Sequence, residues 1–193
     1  MHETVTRNDN GTPGDLTDDT LTYTVSDGNG GSDTATAMVT VIAPRNSIAG
    51  TSGADTLDGT TGNDAISGLA GDDMLAGDAG LDELNGGSGN DTLTGGADAD
   101  IFVFNDSQVL TLIDQTDEIT DFTTGSDVIR LGGFGVTFDD LDTNGDDLLD
   151  GNDASVTVDG SGLTFDLTAS SGSTLSIQLS GVASLAIDDF FFL

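Results

Sequence analysis

The chain has 193 residues, of which 35 are acidic, three are basic and none is cysteine, so its formal net charge is −32. A charge of this sign argues against nucleic acid and anionic membrane surfaces as partners, because both are themselves negative. The lack of cysteine excludes disulfides and thiol chemistry. The first ten residues, MHETVTRNDN, lack the pattern of a Sec-type signal peptide, and no apolar stretch is long enough for a transmembrane helix, so no membrane insertion is expected.

Residues 1–46 have the pattern of a β-hairpin. Apolar side chains alternate with Thr and Ser over residues 21–25, DGNGG predicts a turn, and apolar residues alternate again over 35–41. LTYTVSDGNGGSDTATAMVTV resembles the final hairpin of a cadherin-like or bacterial immunoglobulin-like repeat. A whole sandwich of that kind needs about 100 residues, so this segment is either the tail of a longer domain or a cap on the next segment of the chain. APRNS, at 43–47, is the predicted junction.

Residues 50–103 repeat a nine-residue pattern six times without a gap. Each block begins with Gly and carries Asp at position six and an apolar residue at position eight. The Asp column contains Asp55, Asp64, Asp73, Asp82, Asp91 and Asp100. The apolar column contains Leu57, Ile66, Leu75, Leu84, Leu93 and Phe102. A fixed period with one apolar residue per block indicates a stacked-repeat fold, because no block can bury that residue alone.

The composition of each block predicts a turn followed by a very short strand. Gly and Asp crowd the first six positions, where they permit turn conformations and supply anionic oxygens. Stacked turns bring like charges together, and a hard divalent cation removes their repulsion. Ca²⁺ accepts about six to eight oxygen ligands in flexible geometry, whereas Mg²⁺ demands a tighter octahedron. The alternative is a disordered acidic linker, but a linker does not need apolar residues at one fixed phase.

The blocks match the nonapeptide G-G-x-G-x-D-x-U-x and so resemble the RTX family, the haemolysin-type calcium-binding repeat proteins of Gram-negative bacteria. This resemblance implies an all-β fold built on a right-handed parallel β-roll, with two blocks per turn and several Ca²⁺ ions between turns. It implies that position-six carboxylates two blocks apart share an ion: Asp55 with Asp73, Asp64 with Asp82, Asp73 with Asp91, and Asp82 with Asp100. It also implies backbone carbonyl ligands at Thr51, Gly53, Thr60, Gly62, Leu69, Gly71, Asp78, Gly80, Gly87 and Gly89. The sixth block departs from the pattern, because Asp98 replaces its fourth-position Gly.

The segment after the repeats is expected to cover the apolar end of the roll. DEITDFTTGSDVIRLGGF, at 117–134, resembles the segment that closes the β-roll of secreted RTX metalloproteases. Its predicted core residues are Ile119, Phe122, Val128, Ile129, Leu131 and Phe134. Asp117, Asp121 and Asp127 either add ligands at the end of the roll or are solvated.

A second calcium loop is predicted at 142–153, DTNGDDLLDGND. Oxygen-bearing side chains at loop positions 1, 3, 5, 9 and 12 are typical of an EF-hand-type loop. The ligands would be Asp142, Asn144, Asp146, the Leu148 carbonyl, Asp150 and Asp153. Asp147 replaces the Gly of position six and Asp153 replaces the longer Glu of position twelve, so an acidic turn between strands is the alternative. Alternating residues from 156 to 179 then predict an antiparallel meander.

The predicted organisation is a hairpin over 1–46, the calcium β-roll over 47–103, and a C-terminal cap over 104–193. The chain ends in AIDDFFFL, which resembles the uncleaved signal of type I secretion and also suits a last core strand. Low hydrophobicity with high charge predicts disorder without Ca²⁺ and folding when it binds. The only His is His2, so His-based catalysis is not expected and the chain is predicted not to be an enzyme.

These features predict the calcium-binding C-terminal folding and export region of a larger, secreted or cell-surface protein of a Gram-negative bacterium. Its partners would be Ca²⁺ and the type I secretion machinery. The alternatives are the C-terminal part of a giant surface adhesin and an auxiliary module of a secreted hydrolase or epimerase.

Overall fold

The computed structural model describes residues 2–8, 19–26, 32–39, 45–109, 114–169 and 172–193. The chain divides into two units, Met1–Pro44 and Arg45–Leu193. Within the described residues no helix is long and apolar enough to cross a membrane.

The first unit contains a three-stranded antiparallel sheet in the order β1-β2-β3. Its strands are β1 (His2–Asn8), β2 (Asp19–Ser26) and β3 (Ser32–Val39). Strands β2 and β3 form the predicted hairpin, and β1 adds a third strand that the alternation pattern did not predict. The predicted turn at 27–31 and residues 40–44, which include the start of the predicted junction, lie outside the described residues.

The repeats form two parallel sheets, and successive blocks alternate between them. The strands are β4 (Asn46–Ala49), β5 (Thr56–Thr60), β6 (Asp64–Ala70), β7 (Met74–Asp78), β8 (Glu83–Ser88), β9 (Thr92–Thr94) and β10 (Ile101–Asn105). Strands β4, β6, β8 and β10 pair in parallel in one sheet, and β5, β7 and β9 pair in parallel in the other. Two blocks therefore make one turn of a parallel β-roll.

Both sheets continue beyond the repeats. Strand β11 (Gln115–Ile119) pairs with β9, while β12 (Val128–Gly132) pairs with β10. The last part of the chain contains α1 (Phe138–Leu141), β13 (Leu148–Leu149), β14 (Val156–Val158), β15 (Gly162–Thr168), β16 (Thr174–Ser180), β17 (Leu185–Ala186) and β18 (Phe190–Phe192).

The first roll sheet has the strand order β18-β12-β10-β8-β6-β4, and the second roll sheet has the order β14-β15-β16-β11-β9-β7-β5. The predicted meander is present as β14, β15 and β16, which pair antiparallel. It extends the second roll sheet, because β16 also pairs in parallel with β11. Strands β13 and β17 form a separate antiparallel pair. The predicted all-β roll with an antiparallel cap is therefore confirmed.

The core is a ladder of position-eight side chains that continues into the cap. Alternation along each short strand turns one side chain per block inward. The fully buried members of the ladder are Ile66, Leu75, Leu84, Leu93, Phe102, Ile119 and Ile129. The cap adds the buried side chains of Phe122 and Leu131, and Phe134 is partly buried. Val128 was wrongly expected in the core: it is only half-buried, because neighbouring strand residues cannot both face inward.

Candidate metal centre

The position-six carboxylates form two columns that run along the roll. In each column, Oδ1 of one Asp accepts a hydrogen bond from the backbone N–H of the Asp one turn earlier. The four such pairs are Asp55–Asp73 at 2.8 Å, Asp64–Asp82 at 2.8 Å, Asp73–Asp91 at 2.9 Å and Asp82–Asp100 at 3.0 Å. The structure therefore stacks the two Asp residues of each pair that the family resemblance implied, one turn apart, and the sharing of an ion between them stays a prediction.

Each column continues for one rung beyond the six repeats. Asp117 Oδ1 accepts from the Asp91 N–H at 2.9 Å, and Asp127 Oδ1 accepts from the Asp100 N–H at 3.0 Å. Both side chains are buried, so they are not solvated. Asp121 differs, because its carboxylate accepts from the backbone N–H groups of Gly95 and Gly96.

A sequence signal for the last rung was present but was missed. Residues 122–130, FTTGSDVIR, match the second block, GTTGNDAIS, in five positions that include the Asp and the Ile. Phe122 replaces the first Gly, and the spacing between Asp100 and Asp127 is 27 residues in place of 18. The spacing of 27 residues keeps the nine-residue phase, but the two intervening blocks, 104–112 and 113–121, lack the Gly and Asp of the motif, and this is why block 122–130 escaped the repeat pattern.

The central carboxylates are buried and incompletely paired. The side chains of Asp64, Asp73, Asp82, Asp91 and Asp100 are at most 2% exposed. In the last four, Oδ2 is a buried oxygen without a hydrogen-bond partner. In Asp64 the unpartnered oxygen is Oδ1, because this residue begins its column and the Asn46 N–H opposite donates to Asn63 O. Buried anionic oxygens are normally paired, so these atoms fit a hard cation.

The turns leave little room beside these oxygens. A methyl group on Gly68 would overlap both Asp73 Oδ2 and the carbonyl oxygen of Gly86 in the next turn. Gly77 has the same relation to Asp82 Oδ2 and Gly95 O. Position-one Gly therefore lets a carboxylate oxygen and a carbonyl oxygen of the next turn approach each other closely, which is a donor set suited to Ca²⁺.

The predicted carbonyl ligands fall into two groups. The position-two carbonyls of Thr51, Thr60 and Asp78 accept backbone N–H bonds from the next turn at 3.4, 3.4 and 2.8 Å. The position-four carbonyls of Gly53 and Gly62 accept from threonine hydroxyls in their own blocks. The remaining five residues all have positive φ, as Asp78 also does: Leu69, Gly71, Gly80, Gly87 and Gly89.

Burial changes the acidity of the columns. It raises the pKa of Asp91 and Asp100 to about 6 and that of Asp117 to about 8. The N–H donor in the column opposes this rise, and the neighbouring carboxylates add to it. Burial likewise raises the pKa of Asp73 and Asp82.

The predicted EF-hand-type loop has a different character, because its oxygens already have backbone partners. Asp142 accepts from the N–H groups of Gly145 and Asp147, and Asp153 accepts from those of Thr143 and Asp150. Asn144, Asp146 and Asp150 each accept from the N–H two residues later. Burial acts to raise the pKa of Asp153, but these N–H donors and the Thr143 hydroxyl together hold it below its usual value.

In the part of the chain that the structure describes, no group of three or more His, Cys, Asp or Glu side chains converges on one point. The loop therefore does not assemble its predicted carboxylates into a cage, and Leu148, the predicted carbonyl ligand, lies in β13. The described part of the columns contains no such group either, so an ion there would need backbone carbonyls in addition to the stacked carboxylates.

We expect Asp73→Ala to destabilise the calcium-loaded fold more than Asp55→Ala. Asp73 Oδ1 accepts the partly buried column bond from Asp55, and its Oδ2 is free for a cation, whereas among the described residues the Asp55 carboxylate accepts only from Thr51. Loss of a buried acceptor costs about 1–3 kcal/mol. Urea unfolding in excess Ca²⁺ measures the difference, and equal losses would contradict the pairing of carboxylates within a column.

Without metal, the stability of the fold should fall as pH rises. A group whose pKa is higher in the folded state stabilises the fold below its unfolded pKa, and this stabilisation is lost as pH rises through the folded value. The window runs from the ordinary 3.8 to about 6 for Asp91 and Asp100, and to about 8 for Asp117. Ca²⁺ competes with these protons, so its apparent affinity should increase over the same window.

Urea unfolding of metal-free protein tests this expectation from acid pH, where the column carboxyl groups are protonated, up to the pH at which the metal-free chain no longer folds. About 0.5 M NaCl would screen the exposed charges but not the buried columns. Asp91→Asn should flatten the profile, and Asp58→Asn, which removes an exposed charge, should not. Metal-free stability that is constant or rises over this window would contradict the burial of ionisable oxygens.

Comparison with known proteins agrees with this geometry. The family model described as the RTX calcium-binding nonapeptide repeat (4 copies) matches residues 49–84 and 77–106. A search among curated proteins finds no match.

Among the solved structures that are similar to the chain are two subunits of a mannuronan C5-epimerase from Azotobacter vinelandii. The AlgE6R2 subunit is 30% identical, the match covers 75% of this chain and 91% of that one, and the TM-score is 0.54. The AlgE6R3 subunit is 25% identical, with coverage of 73% and 80% and a TM-score of 0.47. The match to the repeat family, the 30% identity over most of AlgE6R2 and the stacked Asp columns lead to one conclusion: the chain belongs to the RTX calcium-binding nonapeptide repeat family.

Proposed function

We propose that this RTX module folds when it binds extracellular Ca²⁺ and serves as the folding and export region of a larger type I secreted protein. The buried and unpartnered Oδ2 atoms of Asp73, Asp82, Asp91 and Asp100 carry the proposal. Ionised carboxylates at these positions repel their column neighbours and have lost their hydration. Bound Ca²⁺ supplies the missing positive charge, so the free energy of binding becomes free energy of folding.

The columns support a specific assignment of the residues that would hold the ions. Consecutive carboxylates of one column would share an ion, and the turn carbonyls beside them would complete its oxygen shell. The deeper rungs, Asp117 and Asp127, are candidates for further ligands at the capped end. The loop at 142–153 is a secondary candidate, because an ion there must compete with N–H groups that already bind Asp142 and Asp153.

Export depends on calcium in the same way. In cytosol that is poor in Ca²⁺, a chain with net charge −32 would stay unfolded and able to pass through a channel. Outside the cell, Ca²⁺ at about 10⁻⁴–10⁻³ M, the range of extracellular modules, would fold it. Folding from the capped end would then oppose movement back into the channel. Secretion that does not respond to external Ca²⁺ would count against this step.

The C-terminal residues are compatible with both interpretations of AIDDFFFL. Phe190 is buried in β18, whereas Phe191 and Leu193 are exposed by 54% and 72%. Part of the segment thus completes the first roll sheet, and part remains accessible to a secretion apparatus. A type I secretion signal in a secreted or surface protein of a Gram-negative bacterium is the role we propose for it.

A second candidate concerns the parent protein. Similarity to AlgE6R2, a subunit of a mannuronan C5-epimerase, favours an auxiliary module of a secreted polysaccharide-modifying enzyme. The antiparallel sheet of the first unit is compatible with the other interpretation, a surface adhesin in which stalk repeats precede the roll. No catalytic role is proposed for this chain under either interpretation.

A calcium titration followed by far-UV circular dichroism tests the folding switch. We expect metal-free protein near neutral pH to gain β-structure cooperatively, with a midpoint at about 10⁻⁴–10⁻³ M Ca²⁺, and to respond poorly to Mg²⁺. Asp91→Asn should raise the midpoint, because it removes one ligand charge, while the exposed Asp58→Asn serves as the matched control. A spectrum that does not change with Ca²⁺ would contradict the proposal.

A further inference from the structure

Each column carboxylate has two oxygens with different surroundings. Beyond the first Asp of each column, Oδ1 faces the preceding turn and accepts its Asp N–H, whereas Oδ2 faces the turn of its own block. Whether Oδ2 needs a cation therefore depends on whether its own block supplies a hydrogen-bond donor to it. The residue at position two, four residues before the Asp, decides this in every block that the structure describes completely.

In three blocks, position two is Thr and satisfies Oδ2 within the protein. The Thr51 N–H donates to Asp55 Oδ2 at 2.6 Å, and the Thr60 N–H donates to Asp64 Oδ2 at 2.6 Å. The hydroxyl of each Thr adds a second bond to the same oxygen, at 2.9 Å. In the degenerate block 122–130, the Thr123 N–H donates to Asp127 Oδ2 at 2.8 Å.

In the other four blocks, position two is not Thr and its backbone has a positive φ angle. These residues and their φ angles are Leu69 at 80°, Asp78 at 75°, Gly87 at 107° and Gly96 at 105°. The Asp residues of the same blocks, Asp73, Asp82, Asp91 and Asp100, are the ones whose buried Oδ2 has no partner. The left-handed conformation and the free oxygen therefore occur together.

We infer that position-two Thr takes the place of a cation and so determines which turns bind Ca²⁺. This inference rests on the proposed function and names the residues that distribute the ions. A carboxylate oxygen with two hydrogen-bond donors gains less from a cation, which would have to displace them. The unpartnered oxygen of a buried carboxylate gains the full interaction.

The two kinds of turn have a definite order along the roll. Asp73 and Asp91 are consecutive in one column, and Asp82 and Asp100 are consecutive in the other, so each column has one pair with both Oδ2 atoms free. The pairs Asp55–Asp73 and Asp64–Asp82 each contain one Thr-capped carboxylate. Ions should therefore bind most tightly to the two central pairs. In the N-terminal turns, hydrogen bonds from Thr51 and Thr60 satisfy the carboxylates instead.

Two exchanges at position two test the inference in opposite directions. Thr60→Gly removes the hydroxyl and permits positive φ, and Thr61→Gly in the same turn is its control. Leu69→Thr places a β-branched residue where φ is 80°, which should return the turn to the capped form. Its control is Leu69→Asn, because Asn tolerates positive φ. Leu69 is 51% exposed, so neither change disturbs the core.

Calorimetric titration with Ca²⁺ alone measures the number and affinity of the bound ions, and circular dichroism verifies folding. Relative to its control, Thr60→Gly should bind about one more tightly held Ca²⁺, and Leu69→Thr should lose about one or bind it at least about tenfold more weakly. If Thr60→Gly does not fold, the comparison of Leu69→Thr with Leu69→Asn still tests the inference. Variants that match their controls in number and affinity would overturn the inference alone. A wild-type chain that binds no calcium would overturn the proposed function as well.

Discussion

The fold depends on the stacking of carboxylates that are buried and close to one another. Each column Asp from Asp73 onward ties its turn to the preceding one, because its Oδ1 accepts a main-chain N–H of that turn, so loss of its carboxylate would loosen the roll. The same position takes the carboxylate out of water and raises its pKa, to about 6 at Asp91. The stacking that builds the roll thus also buries carboxylates close to one another, and a bound cation would balance their negative charge. Under the proposed function, folding and calcium binding are therefore coupled.

The other repeated residues serve this stacking. Position-one Gly lets the carboxylate approach the next turn, as at Gly68 beside Asp73 and Gly86. Position-eight residues form the apolar ladder of the roll, and Phe102 and Phe122 begin the larger core of the cap, with ring centres 6.0 Å apart. On the outer face, Glu83 forms ion pairs with both Arg45 and Arg130 and so links the first turn to the cap.

The sequence predicted the repeated part of the molecule because a fixed period determines both the position of each residue in its turn and the face on which its side chain lies. Once Asp73 and Leu75 occupy positions six and eight, alternation buries the Leu and stacking places Asp73 beside Asp91. Prediction failed beyond the six contiguous blocks. Asp117 follows Asp91 by 26 residues and lies one residue out of phase, whereas Asp127 follows Asp100 by 27 residues and is in phase but is separated from the repeats by two blocks without the motif. Val128 was assigned to the wrong face because block 122–130, in which it occupies the outward position seven, was not recognised.

The metal ligands were only partly predictable from the sequence. The shared pattern G-x-x-G-x-D makes the blocks look equivalent, yet the backbone at position two divides them into turns that satisfy their own carboxylate and turns that do not. That division depends on a single φ angle, 80° at Leu69 for example, and on a hydroxyl that lies within reach at Thr60. Neither is visible from the spacing of the Asp residues.

The location of the ions in a crystal of the calcium-loaded protein tests the central claim most directly. Anomalous difference density should place one ion between Asp73 and Asp91 and another between Asp82 and Asp100. Each should contact the Oδ2 atoms and turn carbonyls at about 2.3–2.6 Å. Ordered carboxylates with no ion beside them, held instead by protons or water, would contradict the claim that calcium is the missing partner of these buried charges.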